Sequence, residues 1–239
     1  MSIYGFLEHN LQIPWVFQAT VLSVTVLFGA GLVMRRQLAA AAGGQLPDEG
    51  VTLRNVMEVI VEGLANSARD LMGEEWRRYF PLVVTLFMFI VVSNLMGLIP
   101  GVGGATSNVN TTTAWAIISF GIYNYVGIRK HGVWYVNQFL GPSFFEINLF
   151  GRKVHVRALG WFFLPLEIIL HLARILTLSI RLLANMFADH TVVAVWLALV
   201  PVVIPAIFMA LGALVAVLQA FVFSLLTMIY IGLALEEPH

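Results

Sequence analysis

LEIILHLARILTLSIRLLANMFADHTVVAVWLALV, residues 166–200, contains neither proline nor glycine. A single helix of that length measures about 52 Å, against a hydrocarbon core of about 30 Å. A modest tilt does not absorb such a mismatch. The stretch therefore predicts a helix lying steeply oblique, or nearly flat, within a membrane. Pro201 turns the chain, and residues 204–235 run back at nearly the same length. Residues 158–235 accordingly read as a hairpin of two strongly tilted helices.

Composition agrees with a lipid solvent. Of 239 residues, 59% are hydrophobic and only 11% charged, and mean hydropathy is +0.88. A soluble domain carries about a quarter charged residues. Formal net charge is +0, which leaves no basic field for nucleic acid. Cysteine is absent, which excludes disulfides and thiolate metal sites. Residues 1–12 carry no Lys or Arg. They resemble neither a cleaved signal peptide nor a transit peptide, which points to a bacterial membrane or an organelle-encoded chain.

Outward from the hairpin, residues 14–34, 80–99 and 111–128 are apolar runs long enough to span. They are flanked by Arg35-Arg36, by Arg77-Arg78 and Pro100-Gly101, and by Arg129-Lys130-His131. Residues 51–72 differ. Leu53, Val56, Met57, Ile60, Leu64 and Leu71 recur at helical spacing, with Arg54, Glu58, Glu62, Arg69 and Asp70 elsewhere. That pattern predicts an amphipathic helix at the membrane surface. The expected organisation is residues 1–50 as a first transmembrane helix and linker, 51–73 as the surface helix, 74–157 as two transmembrane helices with a loop, and 158–239 as the hairpin. The whole is an all-α polytopic membrane protein with five membrane helices. Eleven of the 13 Lys and Arg fall in loops on one side of an alternating path, and the opposite loop, 101–110, has no charge. The positive-inside rule then places Met1 outside and the C-terminal Glu236-Glu237 in the cytoplasm.

The two remaining positives, Arg174 and Arg181, lie inside the apolar helix. Glu167, His171, Arg174, Arg181 and Asn185 share a helical face of about 100°, whereas His190 lies about 180° from Arg181. Glu167 and His190 are about 34 Å apart along the axis, so the polar stations cross a membrane thickness with a fixed charge between them. Ionisable residues in lipid mark ion paths or counter-ions. A guanidinium does not deprotonate, so Arg181 can hold a passing carboxylate ionised and repel cations but cannot relay protons. Glu167, Asp189 and His190 can relay them. Arg174 can line an inner path or snorkel to the surface. His171 suits a helix–helix contact as well as a path. Asn94, Asn185 and Gln219 suit interhelical hydrogen bonds as well as ion contact.

These residues carry a resemblance. Arg174-Ile-Leu-Thr-Leu-Ser-Ile-Arg181-Leu-Leu-Ala-Asn185-Met is similar to the signature of the F-type ATP synthase subunit a family, also called ATPase subunit 6. Leu218-Gln219-Ala220-Phe221-Val222-Phe223 resembles its last-helix motif. Ser93-Asn94-Leu95-Met96-Gly97-Leu98-Ile99-Pro100 resembles its second-span ending, and Thr106-Ser107-Asn108-Val109-Asn110 the loop that follows. The similarity is collinear over residues 80–238. It implies a stator subunit, not catalytic by itself, whose hairpin faces a rotating ring of c subunits. It also implies peripheral-stalk b subunits and the remaining ATP synthase subunits as partners, and no cofactor. Ions, protons before sodium, would enter one half-channel, ride a ring carboxylate and leave by another; residues of the ring, outside this chain, mostly set which ion is carried. Arg181 matches the essential arginine, Asn185 and Gln219 its polar partners, Glu167 the cytoplasmic path and His190 the outer path.

The chain departs from the pattern at Ile175, where many members have proline, and at Asn108, where many have aspartate. Gly212 stands where many have a His or Glu that pairs with the position of His190. Asp189 is the expected substitute, with water filling the space over Gly212. A proton-coupled secondary transporter is the competing function. Such folds show two related halves, and none is visible here.

Overall fold

A computed structural model of the chain describes residues 14–40, 52–99, 102–132, 145–149, 152–156, 160–200 and 203–235. Among these residues there are six α-helices: α1 Trp15–Ala40, α2 Leu53–Met72, α3 Trp76–Gly97, α4 Val109–His131, α5 Gly160–Leu199 and α6 Val203–Leu235. Short 3-10 turns, Gly73–Glu75 and Ala105–Ser107, precede α3 and α4. Each expected helix is present, with its ends shifted by a few residues. Met1, Pro100-Gly101 and Glu236-Glu237 lie outside the described residues.

Local chemistry sets several ends. Thr52 caps α2 by accepting the Asn55 backbone N–H at 3.3 Å. Gly73, at φ 63°, closes it with its N–H on the Arg69 carbonyl. Asn108 caps α4 by accepting the Asn110 N–H at 2.8 Å, a role aspartate fills equally well. Arg129, Lys130 and His131 occupy the last turn of α4, where cations oppose the helix dipole.

Two features depart from the sequence reading. Strands β1 Phe145–Leu149 and β2 Arg152–Val156 pair antiparallel, with Phe145 opposite Val156 and Leu149 opposite Arg152. An all-α chain with a plain loop is expected there. Phe145-Glu-Ile-Asn-Leu149 nonetheless alternates apolar and polar residues, the period of a strand. Among the described residues, four helical stretches are long and apolar enough to cross a membrane, where five are expected. They are Trp15–Gln37, Arg54–Gly97, Leu172–Leu199 and Val203–Leu235. The second joins α2 to α3. Helix α4 is not among them, and Asn110, Thr111, Thr112, Thr113 and Asn124 dilute its apolar character.

Helix α6 is the keel. It packs against α2, α3, α4 and α5. Its buried stripe includes Gly212, Ala216, Ala220, Phe223, Thr227, Ile231 and Leu235, one residue per turn. Small residues along this line let neighbouring backbones approach closely. A Cβ at Gly232 would strike the Leu71 carbonyl oxygen of α2, and one at Gly104 would strike the Ser93 carbonyl oxygen of α3. Helix α5 is peripheral. Of its described side chains only Leu178, Ser179, Leu182, Met186 and Val193 are buried, and the helix packs chiefly on α4 and α6. Leu172, Leu176, Ile180, Phe187 and Leu199 are exposed.

Asn94 ties three parts together. Its Nδ2 donates to the Ala216 carbonyl of α6 at 3.3 Å, and its Oδ1 accepts the Thr106 hydroxyl at 2.6 Å. Thr106 in turn donates its backbone N–H to Ser93 Oγ at 3.0 Å. The α3 ending and the 106–110 segment, separate motifs in sequence, are thus one hydrogen-bonded unit.

Gly104→Ala and Gly232→Ala should each destabilise the chain by about 1–3 kcal/mol, because backbone oxygens must yield. Gly97→Ala should cost less, since the nearest atom in its way is the flexible end of Met186. Thermal denaturation of the purified protein in detergent would give the order. By the same measurement Asn94→Leu should lose about 0.6–2 kcal/mol through its severed interhelical bonds.

Candidate functional site

Arg181 sits near the middle of α5 on its open flank. Its side chain is exposed and makes no hydrogen bond or ion pair among the described residues. The two residues expected beside it pair with each other instead. Asn185 Nδ2 donates to Gln219 Oε1 at 2.9 Å, which joins α5 to α6. Gln219 is buried, and its Nε2 has no partner among the described residues. The guanidinium is therefore left with its charge uncompensated by this chain's described side chains.

Arg174 has a different fate. Its guanidinium carbon lies 3.9 Å from the Tyr230 ring centroid and 5.5 Å from that of Tyr123. Partly buried, it lies against one ring from α4 and one from α6. The planar, weakly hydrated guanidinium suits such ring faces. Glu167 and His171 stand on α5, but their side chains lie outside the described residues.

Asp189, next to His190 toward the C-terminal end of α5, packs against Gly212 of α6. A Cβ on Gly212 would lie 3.4 Å from Asp189 Cγ, and 2.7 Å from Leu98 Cδ2. The space over Gly212, expected to be open to water, is thus filled by Leu98 and the Asp189 carboxyl. Beside them lies a cavity of about 80 Å³ lined by Gly97, Leu98, Asp189, His190, Val193 and Ala194. His190 Nε2 is buried without a partner among the described residues. A cavity of this size beside a buried polar atom has room for water. A larger cavity, about 410 Å³, is lined by Asp70, Glu74, Glu75, Lys130 and Gly232 among others, and contains none of the expected site residues.

Sequence reasoning missed the groups that hold α5 in place. Ser179 Oγ lies 3.1 Å from Thr112 Oγ1 and 3.0 Å from Thr113 Oγ1. Ser119 and Thr227 meet at 3.2 Å between α4 and α6. The threonine run 111–113 is the available signal. Asn94, by contrast, serves the packing of α3, α6 and the Thr106 turn, as its bonds require.

The sequence profile of the family described as ATP synthase A chain matches residues 16–232. The chain is 41% identical over 236 residues to "ATP synthase subunit a 1" of Syntrophotalea carbinolica, covering 99% of this chain and 89% of that one. It is 41% identical to "ATP synthase subunit a" of Geobacter sulfurreducens, over 92% of this chain and 87% of that one. Against "ATP synthase subunit a 3" of Pelobacter propionicus it is 42% identical, over 92% and 90%. With a profile covering most of its length and relatives matched nearly end to end, the chain belongs to the ATP synthase subunit a family.

Proposed function

We propose that this chain is the proton-translocating stator of a rotary F-type ATP synthase. The observation that carries the reading is the exposed Arg181, which makes no hydrogen bond or ion pair among the described residues. A charge in that position costs at least about 2.5–3.5 kcal/mol in lipid. A carboxylate supplied by another chain would offset that cost, and the c-subunit ring carries such carboxylates. At about 4 Å and an effective dielectric near 20 the attraction is roughly 4 kcal/mol. A membrane potential supplies about 2.3 kcal/mol per charge per 100 mV. The two are comparable, so protonation of the carboxylate helps release it from Arg181.

In this reading Glu167 belongs to the cytoplasmic half-channel, and Asp189 with His190 to the outer one. Asp189, packed over Gly212, supplies the carboxylate that the glycine lacks. Helix α4 is the fifth membrane helix, α2 lies along the surface, and α5 and α6 cross obliquely. The N-terminus is outside and the C-terminus cytoplasmic, in a bacterial inner membrane. The b subunits and the other ATP synthase subunits complete the assembly.

Arg181→Gln should abolish ATP-driven proton pumping in membrane vesicles, a loss of about 100-fold or more if the roughly 4 kcal/mol attraction is removed. Pumping at the parent rate would overturn the proposal. Asp189→Ala should lower pumping about tenfold, a modest share of what a proton-relaying group can contribute. Affinity purification should recover a c ring and b subunits, whereas recovery of a self-sufficient transporter would refute the stator reading.

A further inference from the structure

Arg174 and Arg181 are seven residues apart on α5. That places them about 10 Å apart along the axis and within about 20° of the same helical face. Yet Arg181 is exposed and unpaired among the described residues, while Arg174 is drawn inward onto Tyr230 and Tyr123. The two rings are themselves neighbours, with centroids 5.7 Å apart, and Phe120 packs edge-on to Tyr123 at 5.2 Å. Among the described residues Arg174 has no carboxylate partner. Its charge is met by ring faces from α4 and α6.

Polar anchors bracket Arg181. Arg174 contacts α4 and α6 on one side, Ser179 meets Thr112 and Thr113 of α4 next to it, and Asn185 meets Gln219 of α6 on the other side. Apolar contacts alone would hold α5 poorly against rotation, because they are non-directional and its buried stripe is narrow. A rotation by one residue, about 100°, would carry Arg181 off its open flank.

We propose that Arg174 is a positioning residue: clamped on Tyr230 and Tyr123, it fixes the rotation of α5 and so the direction in which Arg181 points. The inference rests on the assignment of Arg181 to the rotor contact. Its chemistry asks for a cation at 174 and a ring face at 230.

The chain contains no cysteine, so single reporters are clean. In the parent complex A184C, on the exposed flank, should cross-link to a cysteine placed beside the ring carboxylate, and L182C, fully buried, should not. R174Q and Y230L should each lower ATP-driven pumping about tenfold and spread cross-linking to L182C, while R174K and Y230F should stay within about threefold with the parent pattern, since cation and ring face survive. If R174Q fails to assemble, the comparison of Y230L with Y230F decides the matter. Parent-rate pumping by R174Q, or lost pumping with an unchanged cross-link pattern, overturns the positioning role. Absence of cross-linking from A184C in the parent instead overturns the rotor contact itself.

Discussion

An uncompensated guanidinium on an apolar helix is the constraint around which this structure is arranged. Lipid cannot solvate it, and the described side chains of its own chain do not neutralise it. Asn185 and Gln219, which could have hydrogen-bonded to it, bond to each other. Arg174, Ser179 and Asn185 all direct their polar groups to α4 and α6. The result is a helix whose directional contacts point inward and whose central charge points outward.

That arrangement requires a firm support, which α6 provides. Its small-residue line brings α2 against Gly232 and α3 against Ala216, where Asn94 closes the contact. Buried hydrogen bonds between helices add direction to packing that dispersion alone leaves loose. The Thr106 turn joins the same unit through Ser93 and Asn94. Toward the C-terminal end of α5, Gly212 admits Leu98 and the Asp189 carboxyl into space that a larger residue would occupy. A helix position without an ionisable side chain is thereby covered by one from its neighbour.

Much of this is legible in one dimension. The helices follow from apolar runs and their punctuation, because a backbone in lipid must satisfy its own hydrogen bonds. The absence of Pro and Gly over 166–200 matches the unbroken run of α5 to Leu199, whereas Pro201 lies outside the described residues. The ribbon of β1 and β2 escapes a reading of the sequence although Phe145-Glu-Ile-Asn-Leu149 alternates with period two, since five residues of alternation are easily absorbed into a loop. The threonines of α4 lower its hydropathy for a reason that emerges only in three dimensions: Thr112 and Thr113 face Ser179.

By itself the sequence determined the helical class, the order of the helices and the family, because hydrophobic periodicity and short motifs are local properties. It also singled out Arg181, Asp189 and His190, because charge inside an apolar run is conspicuous whatever surrounds it. Only the tertiary structure decided which of two arginines on nearly the same face has no partner among the described residues. That choice depends on Tyr123 and Tyr230, which are distant in sequence from Arg174 and from each other. The partner of a polar side chain is set by helix packing, and no spacing along a single helix encodes it.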